Sequence, residues 1–126
     1  SAAAKGQRCR QGARQAVKAK PVIPRQLALQ DVEEALAHYL AEDAEAAAMG
    51  FIDALAQAYQ HIGRHAATGS PRYAHELNLP GLRVWALNKY PHLVFYMERP
   101  EHIDVWRVLH GQRDIPAWMQ TPEDST

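Results

Sequence analysis

The string RVLHGQRD, residues Arg107 to Asp114, gathers two guanidinium groups, an imidazole and a carboxylate in eight consecutive positions. A guanidinium fork takes carboxylates and phosphates in bidentate fashion, so arginines that converge call for an anion. Histidine titrates near neutrality; His110 can act as a general base there, or can hold the backbone where a strand ends. Arg83, just after the turn signal Pro80-Gly81, joins Arg107, His110 and Arg113 in one concavity if the strands register suitably. A structural use is open to the same residues: Arg107 or Arg113 bonded to Asp104, Asp114 or a backbone carbonyl would pin the chain end.

Other constellations are thinner. His61 and His65 are four apart on a predicted helix, a spacing that can share a metal, but no third ligand is apparent and no metal or cofactor is expected. Trp85, Trp106 and Trp118, with Tyr90 and Tyr96, suit base stacking or, more simply, packing. Neither a glycine-rich phosphate loop nor a Gly-x-Ser-x-Gly elbow occurs, which removes support for nucleotide hydrolysis and serine-esterase chemistry.

These side chains need a scaffold, and the hydrophobic periodicity outlines one. PVIPR (21–25) lies between prolines and reads as an edge strand, because proline cannot donate to a ladder. Leu29, Val32, Leu36, Tyr39 and Leu40 recur at helical spacing with Glu33, Glu34 and Glu42 on the other side. Asp43 is placed to cap a second helix, whose Glu45 favours the positive N-terminal end and whose stripe is Ala48, Phe51, Ile52, Leu55, Tyr59 and Ile62. The very short link makes an antiparallel helical hairpin. GRHAATGSPR (63–72) reads as loop. Beyond Pro80-Gly81 come three β-rich runs, 82–88, 93–99 and 103–110, with links short enough only for hairpins. Gly111 after the last run predicts a positive φ or a sharp bend. Residues 114–119 predict a short closing helix or turn. The fold class is therefore α+β in the order β-α-α-β-β-β: a helical hairpin packed on a mainly antiparallel four-stranded sheet.

Composition bounds the function classes. The chain has 126 residues, 47% hydrophobic and 22% charged, which suits one ordinary globular domain and neither disorder nor a fibre. No run of about 18 apolar residues occurs, so no membrane association is expected. The single Cys9 can form no internal disulfide, and a reducing cytoplasm is the expected setting. The net charge is zero, but residues 1–20 hold six basic side chains and no acidic one. They read as a basic extension to a domain at 21–119, with 120–126 as a polar tail. The remaining positions carry 8 basic against 14 acidic residues. Seven of those acids fall between Asp31 and Ile62, where there is no Lys or Arg, so the helical half repels polyanions.

Several strings in this order resemble the RelE/ParE family of type II toxin–antitoxin toxins over about Pro21 to Met119. RVLHGQRD resembles the ending of the last strand in the ParE branch, and DVEEALAHYLAED its acidic first helix. PGLR (80–83) and NKYPHLVFY (88–96) resemble the family's strand entry and hairpin. The resemblance implies the RelE-like two-layer fold and a bacterial cytoplasmic toxin, of the plasmid-stabilisation kind, that arrests growth. ParE-like members poison DNA gyrase; RelE-like members cleave messenger RNA on the ribosome. Lys89 is the only lysine after residue 20 and no tyrosine follows Tyr96, and both absences count against the nuclease, whose relatives use lysines, arginines and a tyrosine near the C-terminus. The expected function is gyrase poisoning by binding, through Arg83, Lys89, Arg107, His110 and Arg113, with no sequence-specific nucleic-acid contact. As a nuclease the chain would use His110, Arg83 and Arg107 catalytically. As a degenerate toxin it would keep antitoxin binding alone. The implied partner is a ParD-like ribbon-helix-helix antitoxin, covering exposed members of Leu29, Val32, Leu36, Tyr39, Phe51, Leu55 and Tyr59 or adding a strand to an open sheet edge.

Overall fold

Two prolines bracket the first strand, β1 (Val22–Pro24), which leads directly into helix α1 (Gln26–Ala41). A computed structural model describes residues 19–112 and 115–119. Most of the basic extension, the Arg113-Asp114 pair and the polar tail lie outside these residues, as does the side chain of Trp118. Helix α2 (Glu45–Arg64) follows after three residues, with Glu45 in its first turn. Asp43 does not cap it. Reversing the chain in so few residues takes one left-handed residue, and Asp43 supplies it at φ 56°, a region that aspartate tolerates better than most. The N-cap is Ala44, without a side-chain bond.

The segment read as loop is partly ordered. The second helix runs to Arg64 within it, a 3-10 turn (Ala66–Thr68) follows, and at the segment's last residue begins a one-turn helix, α3 (Arg72–Glu76), whose first N–H donates to Ser70 Oγ. Elements this short leave no periodic signature, and the Gly69-Ser70-Pro71 stretch between them reads as loop. The antiparallel meander is as expected: β2 (Leu82–Ala86), β3 (His92–Glu98) and β4 (Ile103–His110), closed by α4 (Ile115–Met119). β1 pairs in parallel with β4, so the sheet order is β1-β4-β3-β2.

The helical hairpin covers one sheet face. Phe51 and Ile62 meet Val94, Tyr96, Ile103 and Val105 there, all fully buried, and this burial is the main driving force for the fold. On the second face Tyr73, Ile115 and Met119 close over Leu82, Val84, Phe95 and Leu109. Both sheet borders are interrupted. Pro24 has no N–H to offer at the β1 border. At the β2 border Ser70 and Val84 exchange two backbone bonds of 2.9 Å, which restricts the strand addition foreseen for a partner.

Gly111 serves a close approach and is not among the positive-φ residues. Its N–H donates to Pro91 O at 2.7 Å, and a Cβ there would stand 3.1 Å from the same oxygen. The bend after β4 therefore seats the chain against the β2–β3 hairpin, whose tip turns through Lys89 at φ 72°. Among the described residues no helix is long and apolar enough to cross a membrane.

Candidate functional site

The geometry at the end of β4 is set by a bulge. Phe95 of β3 pairs with Arg107, but the next residue, Tyr96, pairs with Val105, which leaves Trp106 as an extra residue in β4. The bulge breaks strict alternation, so that Arg107 and Val108 both face the helical hairpin. Here Arg107 reaches α1: its Nε donates to Asp31 Oδ2 at 2.8 Å and its Nη2 to Asp31 Oδ1 at 2.8 Å. The backbone N–H of Val108 adds a third bond to Asp31, at 3.0 Å. The Arg107 and Asp31 side chains are only 5% and 6% exposed. This corrects the expectation that Arg107 faces a target or a phosphate: a guanidinium this deep needs a matched carboxylate, and Asp31 provides it.

Arg83 is also occupied. It lies opposite Tyr96 in the sheet, two strands from β4. Its Nη1 donates to Ala67 O at 3.1 Å and Gly69 O at 2.7 Å, while the Tyr96 hydroxyl donates to Ala66 O at 2.6 Å. Together the two side chains strap the 3-10 turn to the sheet. The expected concavity of guanidinium groups does not form from Arg83 and Arg107, and Arg113 lies outside the described residues.

His110 pairs across the sheet with His92, their rings 5.4 Å apart at the centroids. His92 is buried against Phe51, at 4.8 Å. The Gln112 N–H donates to His110 Nδ1 at 3.1 Å, so the neutral ring carries its proton on Nε2. The remaining nitrogen is thus a donor, which suits a hydrogen bond to a ligand oxygen rather than the base expected of a nuclease. Around these rings runs a cleft of about 360 Å³, lined by Asp31, Glu34, Ala35, His38, Tyr39, His92, Val108, His110 and Gln112. Burial, then the nearby Tyr90 phenol, pushes the Tyr39 hydroxyl above its ordinary pKa. The site that the sequence pictured as a cationic rim is a histidine and carboxylate cleft, with exposed Lys89 at the same end of the sheet.

The helical face also differs from expectation. Phe51 and Leu55 belong to the core and offer a partner no surface. Val32, Leu36, Tyr39 and Tyr59 are half-buried against that core, and Leu29 is exposed. Leu40, Met49 and Ile52 are exposed as well, beside the acidic residues. His61 stacks on Trp85 at 4.2 Å and shares a 2.8 Å hydrogen bond with Thr68 Oγ1. No group of three or more metal-binding side chains occurs among the described residues.

Two features escaped the sequence reading. Asp31 sits on the inward face of α1, one turn from Ala28 and Ala35; a lone acid on that stripe was a readable sign of a buried partner. The second is a cluster around Asp104, with Arg25 and Arg99 both bonded to it.

The family model for the ParE toxin of type II toxin–antitoxin systems, parDE, matches residues 22–115. The chain belongs to this ParE toxin family. The match spans β1 to the start of α4 and includes both Asp31 and Arg107. This ParE-family chain is also similar to a solved structure described as the chromosomal ParDE TA system from P. aeruginosa. The TM-score is 0.61 at 16% identity, with 72% of this chain and 95% of that chain covered; at that identity the likeness supports the fold alone. Comparison with curated proteins finds none that matches.

Proposed function

We propose that this ParE-family toxin arrests growth by binding DNA gyrase and trapping its cleaved complex with DNA, breaking no bond itself. The observation that carries this reading is the closure of Arg107 on Asp31. Cleaving RNA by attack of a 2′-hydroxyl requires a base, an acid and cations around the phosphate. With Arg107 consumed internally, Arg83 bonded to backbone carbonyls and His110 Nδ1 already accepting, the described residues do not gather that set. Binding makes no such demand, and the cleft at the end of β4, flanked by Lys89, His110 and Gln112, is the surface offered to the target.

A ParD-like antitoxin silences the toxin in this reading. Support comes from family membership, from the likeness to the structure of a ParDE system, and from exposed apolar side chains on the helical hairpin. Leu29, Leu40, Met49 and Ile52, with the half-buried Val32, Leu36, Tyr39 and Tyr59, fit an amphipathic segment whose basic residues meet the acidic helices.

The deciding experiment adds purified protein to gyrase with supercoiled plasmid, and in parallel to a translating extract. Linearised plasmid with intact messenger RNA is the expected result. Intact plasmid with cuts in translated messenger RNA would replace this reading with the nuclease.

A further inference from the structure

The second face of the sheet carries a pair of arginines that the toxin reading leaves unused. Asp104, on β4, accepts five hydrogen bonds. Its Oδ1 takes Arg25 Nε at 3.1 Å. Its Oδ2 takes Arg25 Nη2 at 3.0 Å, Arg99 Nε at 3.3 Å, Arg99 Nη2 at 3.1 Å and Trp106 Nε1 at 3.2 Å. Arg25 also lies over the Trp106 ring, 4.1 Å from its centroid. One carboxylate thus fixes two guanidinium planes but cancels only one of their two charges. The neighbouring Lys20–Glu98 pair, at 2.8 Å, is neutral as a unit.

Both guanidinium side chains stay about one-third open to solvent, at 34% and 38%. Among the described residues, Nη1 of Arg25 and Nη1 of Arg99 donate to no protein atom. Ile23 pairs with Asp104 in the sheet and so shares its face, and it is 52% exposed. A structural clamp on Asp104 is complete with one bidentate arginine. The second arginine, the spare N–H groups and the bare isoleucine call for an occupant.

We propose that Arg25, Arg99 and Ile23 form a docking site for an acidic, partly apolar segment of a partner protein. A Glu or Asp side chain of that segment accepts from the spare Nη1 groups, and a neighbouring aliphatic side chain covers Ile23. Charge complementarity selects this occupant. The cluster holds one uncompensated positive charge, which one carboxylate satisfies, whereas a nucleic-acid backbone binds by neutralising several phosphates together. The site lies on the sheet face opposite the helical hairpin, so its occupant is compatible with an antitoxin on the helices.

The test is fluorescence anisotropy with the full chain and a labelled peptide alternating glutamate and leucine. Arg99→Gln and Ile23→Ser should each weaken binding about fivefold or more while leaving thermal melting nearly unchanged, since Arg25 keeps Asp104 bonded. If Arg99→Gln does not fold, Arg99→Lys with Ile23→Ser carries the same comparison. Three results overturn the proposal: no binding by the unaltered protein, equal binding by the variants, or equal binding of a lysine–leucine peptide. Oligo(dT) binding that is lost in the same variants would replace it with a nucleic-acid site. A Glu123→Gln, Asp124→Asn double variant that takes the peptide about tenfold more tightly would show that the chain's own acidic residues fill the site, and would also overturn it.

Discussion

Arg107 and Asp31 stand 76 positions apart in sequence and are joined by two parallel hydrogen bonds of 2.8 Å in the interior. The pair fastens α1 to the end of β4, beside the cleft proposed to meet the target. Removing one partner strands the other charge where side chains are only 5–6% open to solvent. Asp31→Asn should therefore cost about 3–5 kcal/mol of stability, whereas replacing both residues with apolar ones of similar volume should cost much less. Urea denaturation of the single and double variants checks this. Equal losses would mean that the pair contributes by shape alone. Growth arrest lost in Arg107→Ala should then track the melting curve, because the side chain supports the cleft from behind.

The acid limb of stability should depend on Asp104. Burial alone would raise its carboxyl pKa; the bonds from Arg25 and Arg99 outweigh burial and hold it below the ordinary value of 3.8. A depressed folded pKa means stability that is present above the unfolded value and is lost as pH falls through the folded one. Urea midpoints should therefore drop below pH 3.8 in the unaltered protein and fall less steeply in Asp104→Asn. Parallel curves would show that the carboxylate is no better held when folded.

The alkaline limb should depend on Tyr59, whose pKa burial, then the Asp31 carboxylate, pushes up to about 12. A raised folded pKa gives stability that is complete below the unfolded value of 10.0 and is lost as pH climbs toward 12. Tyr59→Phe should flatten that decline. It should not abolish it, because Tyr39 and Tyr96 are raised in the same direction. A phenolate absorbance titration that shows every tyrosine ionising near pH 10 would refute the assignment.

Gly111→Ala tests the seat of the β4 end. The added methyl would press on Pro91 O, which the Gly111 N–H already holds at 2.7 Å, so the carbonyl has little freedom to retreat. A loss of about 1 kcal/mol is expected, the low end of overpacking costs, read from thermal melting. An unchanged melting temperature would mean that the hairpin yields easily.

The helical hairpin and the meander were legible because each rests on a period: the apolar spacing of Leu29 to Tyr39 and Phe51 to Ile62, and the alternation along 82–110. The fate of Arg107 was not legible. Alternation from Ile103 and Val105 puts Arg107 on the helix-covered face, but no spacing reveals that Asp31, 76 positions earlier, stands there to bond it. Phe51 and Leu55 illustrate the converse limit: an apolar stripe names the residues that seek cover without saying whether the sheet or a partner supplies it. Gly111 was rightly read as marking a bend. Its reason was the proximity of Pro91, twenty positions earlier, which spacing cannot reveal.

The interrupted borders of the sheet have a consequence for self-association. With an imino acid at one rim and Ser70 occupying the other at Val84, neither side offers a long uninterrupted template for another copy to stack against, so runaway fibre growth is disfavoured. Contacts of this molecule with others therefore fall to its side chains rather than to its backbone rims.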